Sequence, residues 1–376
     1  MRDDDGAERN EGERSGASGP RRESDPFIRM LEPRRESFSI GLTPLPAGPD
    51  AASARSWAGL AHAGDLLRVD AARSAQLAVK ARYLAAAPGL VFAAEPGWEA
   101  AAREAAHLIA AALEAAELPS EDPAFAALRA ELRRRSQDAG SPLLSAAMAT
   151  QEDLLLMARD GEDRPFRLVA GSLSFPSNWS LPEKLGKPMA LIHEPVPGFG
   201  PGARNAEVID RIFAALAPER PVERFGWSIA PNAALAQPPA PLGRRGFDGI
   251  AAAPEGAAAL QTEIKTETET EMAPAPARVT QALIDAVEGG ALRPAPHFRV
   301  ERQTLSKLPE SGAILFTVRI AALSFEAMAQ RSDGARLAAA LSAKLAALDA
   351  GQLAYKGLTS ARPALCAALA DISGGG

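Results

Sequence analysis

Four histidines and one cysteine are all the imidazole and thiolate ligands that 376 residues offer. Cys366 alone cannot close an intramolecular disulfide, complete a thiolate zinc site or hold a cysteine-ligated iron–sulfur cluster. His62 and His107 lie in alanine-rich helical sequence with no second ligand at a suitable spacing, and His297 precedes a strand. His193 differs. It ends an apolar stretch that reads as a strand, 189–192, and Glu194-Pro195-Val196-Pro197 follows at once. Two prolines two residues apart restrict the exit path of the chain, so the imidazole would sit at a set angle. Taken alone, this leaves two readings open: a metal ligand, or a hydrogen-bonded structural histidine.

Other catalytic signatures are missing. There is no Walker loop, no Gly-x-Ser-x-Gly elbow, no His-Glu-x-x-His and no dinucleotide-binding Gly-x-Gly-x-x-Gly. Gly198-Phe199-Gly200-Pro201-Gly202 is glycine-rich but lacks a strand before it and reads as a turn. The basic run Arg133-Arg134-Arg135 follows Glu131 on an expected helix and reads as a solvated face. A formal charge of −6 argues against a general nucleic-acid binder, whose basic face would dominate its field. No apolar run approaches the ~18 residues needed to cross a bilayer, and the N-terminus lacks a signal-peptide apolar region. The expected location is the cytoplasm, with no membrane partner.

A hydrophobic content of 47% is ample for a core. Residues 1–35 are rich in charge, Gly and Ser, with no large apolar side chain between Met1 and Phe27, and are expected to be a disordered tail. The folded domain is expected over 36–360. Within it a helical layer spans 50–158: a periodic stretch from Trp98 to Leu118, a helix opened by Asp122 and Pro123, and another over 143–157. Strands are expected at 168–175, 189–193, 227–230, 298–303 and 313–320, forming a mainly antiparallel sheet, with a helix at 203–216 between two of them. Residues 238–278, with the repeat-like Thr- and Glu-rich run at 262–271, read as a mobile insertion. Leu337, Leu341, Leu345 and Leu348 recur at helical spacing, and 361–376 is expected to be a tail.

The order of certain motifs is more specific. Gln151-Glu152-Asp153-Leu154-Leu155-Leu156, Ser174-Phe175-Pro176-Ser177-Asn178-Trp179, Glu183-Lys184-Leu185-Gly186 and Ile192-His193-Glu194-Pro195-Val196-Pro197 occur in succession. They are followed by Arg299-Val300-Glu301-Arg302-Gln303-Thr304-Leu305, Gly312 to Arg319, and Ala354-Tyr355-Lys356-Gly357-Leu358. Across roughly 38–360 this series resembles the haem-dependent oxidative N-demethylase family. The sequence departs from the family pattern at Gly226, where asparagine is expected, at Ser174, where cysteine is common, and at Ile320-Ala321-Ala322.

The resemblance implies an α+β fold with a PAS-like antiparallel sheet core, surrounding helices and a helical N-terminal layer. It implies a haem b held by one histidine, and oxidation by dioxygen of an N-methyl group of a small secondary amine such as dimethylamine, giving a primary amine and formaldehyde. Carried over, His193 is the expected axial ligand and Arg224, Arg302 and Arg319 are expected at the haem propionates, while Trp227 and Trp179 are read either as pocket wall or, the commoner case, as buried core. Glu194 is the expected anion for a substrate ammonium or for proton transfer. For the arginines, pairing with Glu223 or Glu301 on the sheet is the competing reading. Electrons would come from an external NAD(P)H, flavin or iron–sulfur reductase. A haem-binding PAS-like sensor, or a catalytically silent ligand-binding member of the same family, is the alternative.

Overall fold

The computed structural model describes residues 25–30, 42–45, 66–116, 127, 130, 140–237, 280–288 and 295–374. The expected insertion at 238–278, most of the helix expected from Asp122, His62, Arg133 to Arg135 and most of the tail at 1–35 lie outside the described residues.

In chain order the elements are α1 (Pro26–Met30), β1 (Thr43–Pro44), α2 (Arg73–Ala86), α3 (Pro88–Val91), β2 (Phe92–Ala94), α4 (Glu99–Ala115), α5 (Pro142–Ala147), β3 (Asp153–Ala158) and β4 (Arg167–Ser172). Then come α6 (Leu181–Lys184), α7 (Met189–Ile192), α8 (Arg204–Ala215), β5 (Val222–Ala230), α9 (Gln281–Glu288), β6 (His297–Lys307) and β7 (Ile314–Ser324). Four helices close the chain: α10 (Phe325–Ala329), α11 (Gly334–Ala346), α12 (Ala350–Lys356) and α13 (Arg362–Gly374). Among the described residues seven strands form one sheet in the order β1-β5-β6-β7-β3-β4-β2, and each of these pairings is antiparallel. The architecture is α+β.

The strands follow from side-chain parity. Along β5, Glu223, Phe225, Trp227 and Ile229 are buried, while Val222, Arg224, Gly226 and Ser228 are half-buried, the alternation of a strand with two unequal faces. Phe225, Trp227 and Ile229 pack with Phe298 and Val300 of β6 against Leu337, Leu341 and Leu345 of α11 and Leu365 and Leu369 of α13. On the other face Val222, Leu305 and Phe316 meet Met189 and Ile192 of α7 and Phe213 of α8. A third cluster joins Leu154 and Leu156 of β3 to Leu108 and Ile109 of α4 and to Leu143 of α5.

Four expectations are corrected. The helix expected over 143–157 is two elements, a short helix ending at Ala147 and strand β3. All six residues of β3 are buried, so its apolar run carries no alternation and imitates a buried helix. The strand expected at 189–193 is the one-turn helix α7, entered through Pro188. The 361–376 tail is mostly helix α13, anchored by Leu365 and Leu369. Finally, α1 falls inside the expected disordered tail: Asp25 accepts hydrogen bonds from the backbone N–H groups of Phe27 and Ile28, and Phe27 and Met30 are buried.

Candidate functional site

His193 is the C-cap of α7. Its backbone N–H donates to the Met189 carbonyl at 2.9 Å, and its ring Nδ1 lies 3.1 Å from the same oxygen. A carbonyl only accepts, so Nδ1 carries the proton and Nε2 keeps its lone pair. Burial pushes the imidazole down to about 4, with the nearby charges of Arg224 and Lys184 lowering it further against the opposing pull of the Met189 carbonyl. At neutral pH the ring is therefore uncharged with a fixed tautomer, the state that metal binding requires. The Phe199 ring stands 6.2 Å away, centroid to centroid, tilted by 43°.

Two cations attend this imidazole. Lys184, from the end of α6, donates from Nζ to the Ile192 carbonyl at 3.0 Å, and burial lowers its pKa. Arg224 projects from the β5 face that meets α7, where Gln303 and Val318 stand in register beside it. Burial lowers the Arg224 pKa too, with Glu301 and Tyr355 opposing. On the same face Glu301 accepts from the Ser177 hydroxyl and from Gln303 Nε2 at 3.2 Å, while Arg299 donates to Ser177 Oγ at 2.9 Å. Between Arg224 and Ser228 the strand carries Gly226, where an added Cβ would meet only Glu301 Cβ at 4.0 Å. Open space therefore lies over the strand beside Arg224.

The structure brings His193 and Arg224 together, and it separates three residues expected with them. Phe225 pairs with Arg302, and Arg302 with Arg319, so both arginines project from the opposite face of the sheet. There Arg302 donates to Glu223 at 2.9 Å and Arg319 to Asp70 at 2.6 Å. Trp227 shares that far face and packs in the α11–α13 cluster, with Lys356 Nζ over its ring at 4.7 Å. The sheet itself stands between these side chains and His193. Glu194 is exposed at the surface next to His193. Trp179 packs against the same buried cluster as Ile192 and Leu185, on the His193 side. Lys184 and Phe199 were not singled out from the sequence. Lys184 lay in a quoted motif, but nothing in its spacing says that α6 folds onto the end of α7.

This donor set fits a haem. A porphyrin supplies four equatorial nitrogens, so one neutral imidazole suffices from the protein. Two partly desolvated cations beside that imidazole suit the carboxylates of a tetrapyrrole, and Trp179, Ile192, Leu185 and Phe199 offer apolar surface. Among the described residues no group of three or more His, Cys, Asp or Glu is arranged to hold a bare metal ion, and no helix is long and apolar enough to cross a membrane.

An α+β chain that sets one uncharged histidine and two cations beside apolar side chains on one face of its sheet has a donor set suited to a cofactor that needs a single protein ligand. Residues 60–366, most of the chain, match the family model described as haem-dependent oxidative N-demethylase, alpha subunit-like, and the chain belongs to that family. A search among curated proteins returns no match.

Proposed function

We propose that this chain binds haem b through His193 and oxidatively demethylates a small methylated secondary amine with dioxygen, yielding a primary amine and formaldehyde. The observation that carries this reading is the His193 ring: uncharged, its proton fixed on the Met189 carbonyl, its Nε2 free to ligate iron. The haem would supply activation of dioxygen and oxidation of the N-methyl C–H bond. Arg224 and Lys184 would hold its propionates. Trp179 and Phe199 would exclude water from its faces, and Glu301, held by Ser177 and Gln303, would present a carboxylate to the substrate ammonium across the space over Gly226. The departure to glycine at 226 leaves room there for an amine substituent larger than methyl.

The strand order β5-β6-β7-β3-β4, with α6 to α8 inserted between β4 and β5, supports a PAS-like core whose ligand lies on the α7 face. A single cysteine supports a non-covalent haem, since thioether attachment uses a Cys-x-x-Cys-His sequence. It also supports an electron supply on another polypeptide, in keeping with the alpha-subunit description of the family. The cytoplasm is the proposed location.

Protein purified from haem-supplemented cells is expected to show a Soret band that His193→Ala removes, and to release formaldehyde from dimethylamine or a bulkier N-methylamine when a reductase and NAD(P)H are supplied. A wild-type protein without a Soret band overturns the haem assignment. A Soret band without formaldehyde from any methylated amine favours the sensor or silent-binder reading.

A further inference from the structure

On the face of the sheet away from His193 lies a cavity of about 580 Å³. Its floor is a like-charge cross-strand pair: Arg302 of β6 stands directly opposite Arg319 of β7, only 4% and 5% exposed. Like charges directly opposite one another destabilise a sheet, and buried cations are expensive to desolvate. Arg68 lines the same cavity and adds its repulsion to the burial that lowers the Arg302 pKa. The carboxylates around the cavity are outnumbered, four against five arginines. Glu223 is shared between Arg302 at 2.9 Å and Arg29 at 2.5 Å. Asp70, 2.6 Å from Arg319, is 55% exposed, so water competes strongly for that pair. Part of the lining is apolar: Phe27 and Ile28 from α1 and Phe225 from β5.

We infer that this cavity is a second binding site, for a small organic anion whose carboxylate or phosphate bridges Arg302 and Arg319 and replaces Asp70 on Arg319, its apolar body resting on Phe27, Ile28 and Phe225. Guanidinium forks match the oxygens of either anion, and the volume falls in the range of small-ligand sites. The inference is independent of the haem assignment, because the sheet separates this cavity from His193.

The test is calorimetric titration of the full-length protein as purified, with phenyl phosphate and with benzoate, which share a ring and differ in the anion. Saturable binding of one or both is expected, and the tighter of the two identifies the head group. Arg319→Gln should weaken it roughly tenfold or more, whereas Asp70→Asn should strengthen it about threefold, because a competing carboxylate is gone. An ion-pair network with a structural role alone predicts no saturable binding and only a lower Tm for Asp70→Asn. Absence of saturable binding in both the wild type and Asp70→Asn overturns the inference. So does binding that neither variant changes. If Arg319→Gln fails to fold, the sign of the Asp70→Asn effect decides. A Soret band lost in Arg319→Gln but kept in His193→Ala would make this cavity the haem site and overturn both assignments.

Discussion

Lys80 is a fully buried ammonium that donates to the carbonyls of Ala147, Thr150 and Glu152 and sits 3.6 Å from Asp153 Oδ1, over the Phe175 ring. Asp153 in turn accepts from the backbone N–H groups of Ser174 and Phe175, both at 2.8 Å. Burial depresses the Lys80 pKa and raises that of Asp153, so each charge depends on the other. Asp153→Ala should therefore cost about 3–5 kcal/mol in a denaturant melt, because it strands a buried cation and two backbone donors. Asp153→Asn should cost less. Face assignment is the other lesson at this scale. Arg224 and Trp227 are three residues apart on one strand, and an odd separation puts side chains on opposite faces, so strand parity alone excludes a shared pocket. The far-side placement of Arg302 and Arg319 depends on the register of β5, β6 and β7, which no local pattern states.

Among the elements, those whose apolar period matched their geometry were legible: β5, β6, β7 and the leucine-spaced α11. Short or fully buried ones were not, since the four apolar residues of α7 suit either a strand or one helical turn, and context decides. The helix α1 escaped notice because its stability comes from tertiary partners. Arg331 bridges Asp25, the cap of α1, and Asp333 at the start of α11, both at 2.8 Å. Asp25→Ala should lower stability by about 1–2 kcal/mol through loss of the cap and the bridge, read as a fall in Tm. Arg331 holds the Asp333 carboxyl below its usual value of 3.8. The folded state then binds fewer protons than the unfolded chain as pH falls through that value. The stabilisation is present above that value and is lost progressively as pH falls through the lower pKa of the folded state. Asp333→Asn should flatten the acid limb of a Tm-against-pH curve and leave the neutral region parallel to wild type. At the same junction a Cβ on Gly334 would collide with the Met328 carbonyl oxygen, so the turn between α10 and α11 closes only over glycine. Gly334→Ala should destabilise by roughly 1–3 kcal/mol or more, because backbone rather than a flexible side chain must yield.

At the level of the whole molecule the question is how electrons reach the proposed haem. One cysteine cannot ligate an iron–sulfur cluster, and the sequence carries no nicotinamide fingerprint. The sheet also blocks one approach, since the α11–α13 helices cover the face away from His193. The short elements α6 and α7 leave Leu191 39% exposed and Glu194 exposed on the open side, close in sequence to the candidate ligand. A redox partner docking there would stand on the His193 side of the sheet. With a net charge of −6, docking to a basic partner surface would be steered electrostatically and slowed by salt. The haem-loaded chain mixed with NAD(P)H and amine alone should therefore release no formaldehyde. Addition of a reductase should start turnover, at a rate that falls as ionic strength rises. Glu194→Lys should slow haem reduction by that reductase in stopped-flow measurements while leaving the Soret band intact. Formaldehyde release by the chain unaided, or a reduction rate indifferent both to salt and to Glu194→Lys, would place electron entry elsewhere.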